Sequence, residues 1–168
     1  GEQFAGVVGA RDSSACLLSV YRRSGEELAL VGRAAEPCTA DLSRLAWAAV
    51  TGDGQEELLW LTRPQGDNFY TPRQQLRIYT AGASLAPLAV LDGAFNGPDG
   101  AGVRWEDRDG DGVVELLASL SLFPEMASGH LDPTWPGWPE TGLRLQVYRW
   151  DTAQAALVPG EIITVPWP

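Results

Sequence analysis

The chain has 168 residues, of which 45% are hydrophobic and 20% charged, enough for one packed domain or a short array of repeats and too apolar for a disordered chain. With 22 acidic and 12 basic residues, every basic one an arginine, the formal net charge is −10, so no basic stripe exists to hold nucleic acid or an anionic membrane. No run of 18 apolar residues is present to cross a membrane as a helix, and 19 Gly with 12 Pro favour many turns and short strands.

The first residues, Gly1-Glu2-Gln3-Phe4, lack the basic and apolar regions of a signal peptide and lack an initiator Met. The chain is therefore read as a mature or trimmed product, which is compatible with export. A first strand is expected over 4–8. Two cysteines, Cys16 and Cys38, leave two readings open: one disulfide in an oxidising compartment, or two buried free thiols. Residues 17–23 are β-rich, Ser24-Gly25-Glu26-Glu27 is a turn, and 28–31 returns, which predicts a hairpin. Residues 45–50 predict a strand ended by a Gly-rich loop, and 57–62 a strand that follows it. The same order recurs at 76–80, 85–91, 103–107 and 115–122. Residues 143–150 and 156–165 supply a last pair of strands. The polar, Pro-containing stretches 63–73 and 123–141 read as long loops.

This recurrence has a fixed spacing. Tyr21 and Tyr79 lie 58 residues apart, as do Trp47 and Trp105, Gly52 and Gly110, Asp53 and Asp111, Gly54 and Gly112, Glu57 and Glu115, and Leu58 and Leu116. A third, partial copy begins at Gln146-Val147-Tyr148-Arg149, which echoes Ser19-Val20-Tyr21-Arg22 after an insertion. Units near 1–50, 51–108 and 109–168 follow, within a single repeat domain. Trp47 and Trp105, at the repeat spacing, are expected to pack in the core.

The richest chemistry lies in Asp107-Arg108-Asp109-Gly110-Asp111-Gly112-Val113-Val114-Glu115. Carboxylates at Asp107, Asp109 and Asp111 alternate along a tight turn, Val113 can offer its backbone carbonyl, and Glu115 a further carboxylate. Hard cations take six to eight oxygens from such loops, and acids this close repel one another unless a cation sits among them. Calcium is expected over magnesium, which keeps more of its water. An EF-hand is excluded because its twelfth position is Ala118 and the flanks read as strands; a dockerin fails for the same flanks. An acidic turn without an ion is the plain alternative. In the first copy the matching positions are Ala49, Thr51, Asp53 and Glu57, so that loop is expected to bind calcium weakly or not at all.

Hairpin, strand, acidic loop and apolar strand together resemble the FG-GAP/VCBS repeat of integrin-type β-propellers, over nearly the whole chain. The resemblance implies an all-β fold of about three four-stranded propeller-like blades, with calcium at Asp107, Asp109, Asp111 and Glu115. It also implies an extracellular, secreted or periplasmic setting and a role in adhesion, recognition or assembly. Two departures stand out. The first loop lacks two acids, and three blades are too few for a closed propeller. The array is then open or partial, a fragment, or one that completes its edges on a partner.

Other candidates are weaker. His130, the single histidine, has no nucleophile at a strained turn to serve, and one His with two distant Cys makes no zinc set. Glu125, Asp132 and Glu140 offer a glycosidase-like carboxylate pair, though loop acids are commonly just solvated. Trp135 and Trp138, held by prolines in the insertion, are candidates to contact a protein partner or a sugar ring, against the alternative that they fold back on the core. The expectation is a non-enzymatic, extracytoplasmic calcium-binding module for protein–protein recognition or assembly. The alternative is a carbohydrate-binding module or accessory domain of a carbohydrate-active protein.

Overall fold

The segment Glu57-Leu58-Leu59-Trp60-Leu61-Thr62 is apolar at consecutive positions, the mark of a strand buried on both faces. In the computed structural model, which describes residues 3–9, 15–37, 43–62, 73–81, 85–94, 102–120 and 143–165, this segment lies inside a sheet covered on either side. Among the described residues eleven strands form: β1 Gln3–Gly9, β2 Ala15–Ser24, β3 Glu27–Pro37, β4 Ser43–Ala48, β5 Glu57–Thr62, β6 Arg73–Ala81, β7 Leu85–Ala94, β8 Val103–Glu106, β9 Glu115–Ser119, β10 Leu143–Asp151 and β11 Ala156–Val165. No helix occurs among the described residues. The protein is all-β, as expected.

The strands make three antiparallel sheets, none closed on itself: β1-β2-β3, then β4-β5-β6-β7, then β8-β9-β10-β11. Each is a meander of neighbours in sequence. The sheets span 3–37, 43–94 and 103–165, so they are cut differently from the sequence units. The reason is the Gly-rich loop. It is a hairpin whose arms pair Ala48 with Glu57, and Glu106 with Glu115, so the strands before and after it share a sheet.

The repeat is structural as well as sequential. In each hairpin the pairing register slips at one place, between Val20 and Tyr21, Ile78 and Tyr79, and Gln146 and Tyr148. The third copy, partial in sequence, therefore carries the same bulge beside the same tyrosine.

Alternation along the strands sorts side chains between two cores. Leu58 and Trp60 of β5 and Tyr79 of β6 pack with Leu18 and Val20 of β2, joining the first and second sheets, with Trp47 at the margin. Leu59, Leu76 and Ile78 point the other way and pack with Val103, Leu116 and Ala118, joining the second and third sheets, with Trp105 at the margin. Both tryptophans thus pack where the repeat spacing placed them. Burying such a leucine contributes roughly 1.5–3 kcal/mol each.

The second and third sheets are also tied by their backbones. Val114 donates its N–H to the carbonyl of Ala49 at 2.8 Å. At the opposite ends of these strands, the Gln74 side-chain oxygen accepts from the amides of Gly102 and Val103, each at 3.0 Å. Close by, Gly93 lies so near Gly102 that a Cβ would overlap the Gly102 carbonyl.

Candidate metal centre

Both Gly-rich loops are built on one plan. Gly52 and Gly54 in the first, and Gly110 and Gly112 in the second, have φ between 71° and 87°. That left-handed region costs a side chain of L configuration roughly 1–2 kcal/mol, which is why glycine recurs there. Each loop closes with a buried glutamate that accepts backbone amides from the loop's start. Glu57 takes the N–H of Val50 at 2.7 Å and of Thr51 at 3.2 Å, and the Thr51 hydroxyl at 2.9 Å. Glu115 takes the N–H of Arg108 at 2.9 Å.

The second loop adds the acids. Asp107 accepts the amides of Gly110 at 2.7 Å and Gly112 at 3.0 Å, which folds the turn around its carboxylate. Asp109 accepts the amide of Asp111 at 3.3 Å, and Asp111 that of Val113 at 2.8 Å. Ligand atoms of Asp107, Asp109 and Glu115 all fall within 4.8 Å of one another. Oxygens bound at 2.3–2.6 Å to one calcium lie no more than about 5 Å apart, so these three carboxylates could hold a metal ion. Asp111 stands outside this close set, and Val113 follows it on the loop with its amide bound to Asp111.

A cation already meets these acids. Arg149 of β10 places Nε 3.0 Å from Glu115 and Nη2 3.5 Å from Asp109. Arg108 is bonded at 2.8 Å to Glu161 of β11. Buried Glu115 is thus met by an arginine and an amide, as a buried carboxylate must be.

The two loops lie against each other. Val50, Thr51 and Gly52 of the first loop and Asp109, Asp111, Val113 and Glu115 of the second line one cavity of about 290 Å³, together with Arg149 and Trp150. The first loop keeps Asp53, which accepts the Gln55 amide at 2.8 Å, and it forms no group of three acids among the described residues.

Sequence reasoning placed Asp107, Asp109, Asp111, Val113 and Glu115 together, of which Asp107, Asp109 and Glu115 form the close set, and missed one partner. Arg149 arrives from 34 positions away through the β9–β10 pairing, which no local motif encodes. Glu57 and Glu115 are an acid kept in both loops, but so are Asp53 and Asp111, and the identity alone does not single out the amide-binding role. His130, Glu125, Asp132, Glu140, Trp135 and Trp138 lie outside the described residues. Cys16 is disulfide-bonded; the chain has one other cysteine, Cys38, also outside them. No family model matches the chain, and neither does any curated protein or solved structure.

Proposed function

We propose that the protein is a non-enzymatic, extracytoplasmic β-repeat module for protein recognition or assembly, its sheets acting as propeller-like blades of the FG-GAP/VCBS type with calcium as a structural ion in the second loop. The observation that carries this reading is the convergence of Asp107, Asp109 and Glu115 within 4.8 Å, on a loop whose glycine-matched twin lacks two of these three acids. One loop geometry with and without that pair of aspartates supports an ion added to an existing turn rather than a turn built for chemistry. Asp111, the Val113 carbonyl and water would complete a calcium shell of six or more oxygens. The disulfide at Cys16 supports an oxidising compartment. Open sheet edges and the Trp135–Trp138 stretch are the proposed contact surfaces.

Calcium titration by calorimetry, with melting curves in calcium and in chelator, tests this. Binding that raises the melting temperature by several degrees, and loss of that increment in Asp109→Ala, are expected. Equal melting temperatures for the wild type in calcium and in chelator would sink the calcium reading.

A further inference from the structure

Among the described residues, the acids of the second loop differ in how many of their oxygens the backbone has taken. Asp107 accepts an amide on each oxygen, from Gly110 and from Gly112. Asp109 accepts the Asp111 amide on Oδ1 alone, and Glu115 the Arg108 amide on Oε2 alone. Two oxygens remain, Asp109 Oδ2 and Glu115 Oε1, and one side chain meets both. Arg149 lies 3.5 Å from the first through Nη2 and 3.0 Å from the second through Nε. The oxygens that the backbone leaves to an incoming cation are thus the ones a guanidinium covers.

The first loop shows the same frame without this pair. Register places Arg149 one step beyond the Tyr148–Leu116 pair, opposite Glu115. The same step beyond the Leu58–Tyr79 pair sets Thr80 opposite Glu57. Thr51 stands where the second loop has Asp109, and its hydroxyl donates to Glu57 Oε1 at 2.9 Å. A neutral pair in one copy, Thr51 and Thr80, is a charged pair in the other, Asp109 and Arg149, around a glutamate common to both. An acid added beside a buried glutamate repels it, and the arginine offsets that repulsion.

We propose that Arg149 is a resident counter-cation of this site: it neutralises Asp109 and Glu115 in the metal-free protein, is displaced when calcium binds, and so holds the calcium affinity down. The inference rests on the calcium reading of the loop and adds the regulation of that site. Arg149 is suited to leaving. Its side chain is 57% exposed and that of Glu115 is 6% exposed, so the arginine can turn to water while the glutamate stays. A guanidinium within a few ångströms of a divalent ion also repels it, and at a partly solvated site that repulsion weakens binding roughly tenfold. The arginine meanwhile keeps the metal-free loop from being a set of mutually repelling acids. Calcium then exchanges one cation for another, and it stabilises the wild type less than it would a chain with no arginine here.

Calcium titration by calorimetry on the wild type and Arg149→Met, with melting curves of each in calcium and in chelator, decides it. The substitution keeps an unbranched side chain and removes the charge. It is expected to tighten calcium binding roughly tenfold, to lower the melting temperature in chelator because buried Glu115 has lost its cation, and to enlarge the rise that calcium gives. Arg22→Met, at the same repeat position on β2, removes a charge from another sheet and is expected to bind calcium as the wild type does. If Arg149→Met does not fold in chelator by circular dichroism, Arg149→Lys takes its place. Lysine keeps a charge without the fork that spans both oxygens, and severalfold tighter binding than wild type is expected. Binding by the wild type with equal or weaker binding by the Arg149 variant overturns the proposal and leaves the calcium reading standing. Binding by neither overturns both. An equal tightening in Arg22→Met also overturns the proposal, because it assigns the effect to net charge.

Discussion

Glu57 is almost wholly buried, and both of its oxygens are used inside its own loop. Its carboxylate replaces the partners that the Val50 and Thr51 amides lose where β4 ends. Glu57→Ala leaves those amides unpaired and is expected to lower stability by about 2–4 kcal/mol, read from denaturant midpoints. Asp151 does comparable work in the open. Its carboxylate accepts the amides of Ala153 at 2.8 Å and Gln154 at 3.1 Å, and the Gln154 side-chain amide at 2.8 Å, in the turn between β10 and β11. These bonds, the Gln154 amide foremost, hold its carboxyl below the ordinary Asp value of 3.8. A depressed native value means the support is full above the ordinary value and is lost as pH falls through the native one. An NMR titration is expected to show the Asp151 carboxyl protonating, and the amide shifts of this turn changing with it, only below that ordinary value, and Asp151→Asn is expected to remove the effect. The two acids illustrate what sequence can and cannot disclose. Both were visible as residues, and Glu57 as a repeat identity, but which amides they bind depends on turn geometry that spacing alone does not define.

At the scale of elements, the strands were legible because alternation and short apolar runs write burial directly into sequence. The consecutive apolar residues 58–61 and 116–118 of β5 and β9 fit burial on both faces, and the turn Ser24-Gly25-Glu26-Glu27 announced its hairpin. The grouping of strands into sheets was harder. The 58-residue spacing is the same wherever a unit is taken to begin, so it cannot say whether β4 belongs with what precedes it or follows it. Pairing across the Gly-rich loop decides that. The approach of β7 to β8 was likewise invisible, since Gly93 in sequence reads as an ordinary strand-weakening glycine. In space it is where two backbones meet. Gly93→Ala forces the Gly102 carbonyl and the Val103 side chain aside and is expected to cost about 2–4 kcal/mol, measured by chemical denaturation. Gly6→Ala, where no neighbour lies near, is expected to cost far less.

At the scale of the whole molecule, the three sheets are not held equally. Among the described residues, the backbone hydrogen bond that crosses between sheets joins the second to the third, and so do the two bonds from Gln74. The first sheet meets the second through side chains of one apolar cluster. It also holds the disulfide-bonded Cys16. Among the described residues, an apolar cluster thus joins the first sheet to the second, and an apolar cluster with these hydrogen bonds joins the second to the third. Native-state hydrogen exchange is expected to show β1–β3 opening at lower free energy than β5, β6 and β9, and a reductant is expected to widen the gap. Equal protection in all three sheets would count against this order.

The stacking of the two loops through Val114 and Ala49 has a consequence for how the protein can be read from outside. An ion held by the second loop is expected to shift the first, because the two share a hydrogen bond and a common cavity wall. The Thr51 amide, in the loop with Ala49 and Thr51 where the other has Asp107 and Asp109, is therefore a natural reporter. Its exchange rate and chemical shift should follow occupancy of a site to which it contributes no ligand, so that the silent loop signals the state of the charged one.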